Sequence, residues 1–158
     1  TAINCANEGF TDALGLTDQE DGEANTQKLR ESGIAANIPI LEYCKDGWYL
    51  PARNEMEAVF NAYNGGSSQS IGLKPDAIKQ EEKDARAAWD KILTDNGGDV
   101  MNVKADNTAG DSYFTSTEAD DASKVFYVRF GQWNPGLTGA KYAKSPARYV
   151  RCIRKISK

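Results

Sequence analysis

Residues 125–130 read Val125-Phe126-Tyr127-Val128-Arg129-Phe130, and the fold class turns on that run. Alternation with a period of two puts Phe126, Val128 and Phe130 on one face of a strand and Tyr127 and Arg129 on the other. An apolar face must be covered, so the first three are expected against the core and the other two toward solvent. Strand signals flank the run on both sides. Tyr113 to Thr117 (YFTST) is short and β-prone, and Arg148 to Ile156 alternates well enough for a last strand. Between them Gly131 to Gly139 (GQWNPGLTG) is a loop carrying Trp133.

Upstream of residue 98 the periodicity is helical. Met56, Val59, Phe60 and Tyr63 fall at i, i+3, i+4 and i+7, and Asn64-Gly65-Gly66 closes that helix. Pro75-Asp76 opens the longest helix, to about Asp95. Ile78, Ala85, Ala88, Trp89, Ile92 and Leu93 are its expected buried face, with Glu82 and Arg86 as an i,i+4 pair and Gly97-Gly98 as its stop. Asn25 is the expected cap of a short helix from Thr26 to about Ser32, stopped at Gly33. Asn37 is the expected cap of another, with Pro39 in its first turn. Residues 1–24 show no period and read as an irregular lead-in; Gly65 to Gly72 reads as a surface loop. Helices first and an antiparallel sheet after them make an α+β fold, and 158 residues suit one domain spanning 1–158. The chain starts at Thr1 without an initiator Met or a signal segment, so it reads as the C-terminal part of a longer protein.

Composition narrows the chemistry. There is no histidine, which removes Ser-His-Asp and Cys-His nucleophile systems and the usual zinc ligand sets. Neither GxGxxG nor GxxxxGK[ST] occurs. Neighbouring carboxylates such as Asp120-Asp121 and Glu81-Glu82 point apart on regular structure, so no acid–base pair is expected. The acidic loops Asp18 to Gly22 and Asp106 to Asp111 lack calcium-loop spacing. No catalytic residue, metal or cofactor is therefore expected. The net charge is −4, but residues 111–158 carry +5 and residues 1–110 carry −9. That basic segment either pairs with the acidic half or meets an anionic partner. Nucleic acid is not an expected partner, given the acidic pI of about 4.9 and the absence of a recognition motif. No apolar run is long enough to embed the chain in a membrane. Cys5, Cys44 and Cys152 are too few for a disulfide scaffold, and spacing alone leaves reduced thiols and a Cys44–Cys152 bridge equally open.

A family resemblance adds to this reading. Gly47 to Met56 (GWYLPARNEM) resembles the GWYLP(S/T)xxEL signature of the Legionella collagen-like protein C-terminal domain, which is related to the Fibrobacter succinogenes major paralogous domain. Tyr113 to Glu118 resembles its YWSSTE block, Val125 to Phe130 its WYVxF strand, Tyr149 to Arg154 its YVRCVR end, and Gly22 to Thr26 (GEANT) its GxxNT. The blocks run in order over residues 22–154. The resemblance implies a C-type-lectin-like fold of the formylglycine-generating-enzyme variant, with helices packed on a small twisted antiparallel sheet and a ligand face made of loops. It also implies a disulfide between Cys44 and Cys152, leaving Cys5 over. Four departures count. Ala52 stands where the family has a capping hydroxyl, a loss of about 1 kcal/mol. The helix over 75–95 is an insertion. Trp133-Asn134-Pro135 replaces the calcium-binding WND, and no EPN or QPD accompanies it. Cys152 has no neighbouring cysteine, so oxidase chemistry is not implied either.

The function expected from this is non-enzymatic: an adhesin or receptor-binding domain at a bacterial surface or pilus tip, extracellular, and attached to a surface or pilus protein upstream. Its partner would be a host or bacterial surface protein or a glycan. The expected ligand face is Phe114, Thr115, Tyr127, Arg129, Gln132, Trp133, Asn134, Lys141 and Tyr142, because aromatic, amide and cationic side chains bind well at low entropy cost. Trp133 packed back onto the core is the competing reading of that residue. Domains of this kind are targets of diversity-generating retroelements, and residues 113–148 are where such variation would lie. A structural pilus or surface-lipoprotein module without its own ligand and a phage tail-fibre tip are the alternatives.

Overall fold

The computed structural model describes residues 2–3, 13–66, 78–101, 112–120, 124–131, 136–138 and 148–156. Among them are three helices, α1 (Gly22–Glu31), α2 (Arg53–Tyr63) and α3 (Gln80–Asp95), and two 3-10 turns, Ala35–Asn37 and Pro39–Glu42. Five short strands, β1 (Ala2–Ile3), β2 (Ser112–Glu118), β3 (Val125–Arg129), β4 (Gly136–Thr138) and β5 (Arg148–Tyr149), form one sheet in the order β1-β5-β2-β3-β4. The class is α+β, and every described strand but β1 lies after residue 110. The sheet is mixed rather than antiparallel. β1–β5, β2–β3 and β3–β4 are antiparallel, but β5 runs parallel to β2. A hairpin joins only antiparallel neighbours, and β5 reaches the far side of β2 through a longer connection.

The sheet lies between two apolar clusters. On one side Met56, Phe60 and Tyr63 of α2 pack with Tyr113, Val128 and Phe130. Phe130 is the hub, its ring 5.3 Å from Phe60, 5.7 Å from Tyr63 and 5.1 Å from Tyr113. On the other side Leu29 of α1, Leu14, Leu16, Ile38, Ile40 and Leu50 pack on Phe114 and Val125. Tyr113 and Phe114 are adjacent on β2 and serve opposite clusters, so all seven residues of β2 are buried.

Several boundaries depart from the sequence reading. α1 starts at Gly22, because Asp21 accepts a hydrogen bond from Ala24 N and caps it. Asn25, the expected cap, sits inside the helix. Asn37 closes the first 3-10 turn, and Ile38 precedes the turn that Pro39 opens. The lead-in contains a strand, Ala2–Ile3, paired to β5. The last strand ends at Tyr149, because Cys152 is bonded to Cys44 with Cα atoms 5.5 Å apart and Ile153 pairs instead with Tyr49. Cys5 lies outside the described residues, as do residues 67–77.

The largest correction concerns α3. Its buried residues are Glu82 and Arg86, whereas Trp89 and Ile92 are exposed and Leu93 is half-buried. Hydrogen bonding orients this helix. Glu82 caps its start through Lys79 N, Arg86 Nε donates to Asn64 Oδ1, and Asp90 accepts from Tyr63 Oη. A polar stripe thus faces α2 and the end of β3, and the apolar stripe is turned aside.

Candidate functional site

Most blocks that carry the resemblance prove to be internal fastenings. At Gly22 a Cβ would stand 2.3 Å from Leu50 O and 2.4 Å from Ala52 N, so only glycine lets α1 meet the segment before α2. Asn25 Nδ2 donates to Asp18 O and Ser116 Oγ, and Thr26 Oγ1 accepts from Leu50 N. Glu55 accepts from Gly22 N, Ala52 N and Tyr49 Oη. Burial, and then that bond to Glu55, push the Tyr49 hydroxyl up to about 12. Thr117 Oγ1 accepts from Arg53 N, and Gln19 O accepts from Asn54 N. A hydroxyl from β2 and a carbonyl of the lead-in therefore serve first-turn amides of α2 despite Ala52. Glu118 accepts from Leu14 N and Gly15 N, both at 2.8 Å.

The expected ligand face does not assemble on the described strands. Phe114 and Thr115 are buried in mid-β2, and Thr115 Oγ1 donates to Phe126 O. Tyr127 is 4% exposed, not outward, because it stands opposite Phe114 on a face that the α1 side covers. Arg129 is half-buried, while Val128 and Phe130 face the core as expected. Phe126 is only half-buried, with the Arg53 guanidinium 4.5 Å above its ring. Gln132, Trp133, Asn134, Lys141 and Tyr142 lie outside the described residues. The entry to their loop is anchored, since Arg86 Nη1 donates to Phe130 O and Gly131 O.

An open apolar groove of about 620 Å³ lies between α2, α3 and the extended segment 151–156. Val59, Tyr63, Leu93 and Met101 line its floor, and Trp48, Trp89, Ile92 and Ile156 its rim. Trp48 is 40% exposed, Trp89 36%, Ile92 57% and Ile156 83%. Segment 151–156 is fastened as one wall. Cys152 holds it covalently, and Tyr49 and Ile153 exchange backbone bonds of 2.8 and 2.9 Å. Arg151 Nη2 donates to Asp99 O and Val100 O. Arg154 lies 4.9 Å over the Trp48 ring. Lys155 pairs with Glu23 at 2.9 Å and Asp21 at 3.4 Å, and these bonds raise its amine above the ordinary lysine range. Burial foremost, then Asp90, raises the Tyr63 hydroxyl above the ordinary tyrosine range.

A smaller, more polar cleft of about 520 Å³ lies by Arg53, Glu118 and Phe126. Among the described residues no cluster of three or more Cys, Asp or Glu side chains suits a metal, and no helix is long and apolar enough to cross a membrane. What the groove offers is apolar area with guanidinium charge at its rim, a binding surface. Sequence reasoning missed it because Trp89 and Ile92 counted as core and Trp48 only as part of a motif. No family model, no curated protein and no solved structure matches this chain.

Proposed function

We propose that this chain is a non-enzymatic ligand-binding module, with a C-type-lectin-like architecture, of a protein displayed at a bacterial surface. The observation that carries the reading is the groove rimmed by Trp48 and Trp89, two large aromatics kept at the surface of a firmly fastened frame. Soluble domains seldom leave contiguous apolar area open without a use. The Cys44–Cys152 bond suits an oxidising, extracellular setting. The ordered sequence blocks, and the Cys44–Cys152 bond that the resemblance implies, support the lectin-like assignment. Any retroelement-directed variation belongs after β3, since every β2 side chain is buried and would resist substitution.

The test is adhesion. The purified chain is applied to arrays of bacterial and host surface proteins and glycans beside two variants, Trp48→Ala/Trp89→Ala and Trp133→Ala/Tyr142→Ala. The first is expected to lose binding by about tenfold or more, the size of two interface anchors, with its fold retained. Loss confined to the second variant moves the site to residues 132–142. A wild-type chain that binds nothing on either array overturns the reading.

A further inference from the structure

We infer that the groove takes an acidic segment of a protein partner, anchored by apolar side chains, rather than a sugar. This rests on the groove being the ligand site proposed above. Its floor of Val59, Tyr63, Leu93 and Met101 is almost wholly apolar. Tyr63 Oη is already committed to Asp90, and Asn96 Nδ2 to Ile92 O. Sugar hydroxyls buried against that floor would exchange water for few partners, which is unfavourable for each one left unpaired. Leucine, phenylalanine or tryptophan side chains meet no such penalty, and about 620 Å³ lies inside the ~300–1,000 Å³ range of ligand-sized sites.

The rim specifies the charge. The guanidinium of Arg154 stacks on Trp48 and makes no hydrogen bond or ion pair among the described residues. Its neighbour Lys155 is engaged by Glu23 and Asp21. The acidic groups of α3 nearest the groove are occupied too: Asp90 by Tyr63 Oη and Met101 N, Asp95 by Lys91. Among the described residues Arg154 is thus an exposed cation at the rim whose donors carry no bond, and Arg151 adds positive charge across the segment. A carboxylate beside an apolar anchor would form charge-assisted bonds to Arg154 while its anchor fills the groove.

Three synthetic 12-residue peptides share leucine and tryptophan anchors and carry Asp, Asn or Lys at the remaining positions. Titration by fluorescence anisotropy is expected to rank them Asp, then Asn, then Lys. The Asp form should bind about fivefold or more tightly than the Lys form, the order one exposed ion pair supplies. That advantage should shrink as salt rises from 50 to 500 mM (about the range over which screening lengths fall severalfold). Arg154→Gln, at an exposed position, should remove most of it with the thermal midpoint unchanged, and Trp48→Ala/Trp89→Ala should weaken all three peptides. Equal affinity for the Asp and Lys forms, no effect of Arg154→Gln, or no binding of any peptide overturns the inference. If the array ligand is a glycan lost in the Trp48→Ala/Trp89→Ala variant while the peptides do not bind, the inference falls and the binding module stands. If neither array nor peptides bind, both fall.

Discussion

Gly22 shows how much of this molecule depends on single atoms. Leu50 O, Ala52 N and Glu55 Oε2 all stand within 2.6 Å of where a Cβ would be, and two of the three are backbone atoms that cannot swing away. Gly22→Ala must therefore part α1 from the entry to α2, breaking the Glu55 bonds to Gly22 N and Ala52 N. The expected loss is about 1–3 kcal/mol, the usual range for overpacking. Gly33 has no atom within 4 Å of the same position. Gly33→Ala should change stability by less than about 0.5 kcal/mol. Urea denaturation of the two variants side by side checks the contrast, and equal midpoints would show that the close approach at Gly22 carries no weight.

Helix α3 owes its orientation to polar contacts. Arg86 is 5% exposed and ties Asn64, at the end of α2, to Phe130 and Gly131, at the end of β3, with its guanidinium 5.2 Å from the Tyr63 ring centroid. Arg86→Ala leaves a buried amide oxygen and two carbonyls without that donor. The expected cost is about 2–4 kcal/mol, as for breaking a buried network. Hydrogen exchange should report the loss first in the amides of α3, and the groove, which has α3 as a wall, should lose affinity for peptide. Uniform loosening of every element would mean that α3 is not the part Arg86 holds.

At the scale of the whole molecule, the Cys44–Cys152 bond closes a loop of 108 residues between the turn after Pro39–Glu42 and the terminal segment. In the chain-entropy model a loop of that length contributes about 4–5 kcal/mol. Cys44→Ser/Cys152→Ser should lower the urea midpoint accordingly and free the 151–156 wall of the groove. Thiol titration of the unfolded, unreduced chain should return one free thiol, that of Cys5. Three thiols would mean that the bond does not form, and with it would go the main support for an extracellular setting.

Local periodicity was enough to read the α+β class, the α2 stripe of Met56, Phe60 and Tyr63, and the core face of Val128 and Phe130, though not the half-buried Phe126. Each of these depends only on where neighbouring side chains point along a single element. The resemblance of the blocks, rather than any spacing, indicated the partner of Cys44. What lay beyond the sequence was which faces find a cover. A period of two says that Tyr127 and Arg129 oppose Val128, but it carries no information about what packs on the second face. The α1 side packs on Phe114 there, and Tyr127, its cross-strand partner, went inside with it. A period of 3.6 says that Trp89 and Ile92 share a helical stripe, but long-range bonds from Arg86 and Asp90 turned that stripe toward solvent. The groove is therefore a product of packing among α2, α3 and residues 151–156, three segments that no local pattern brings together.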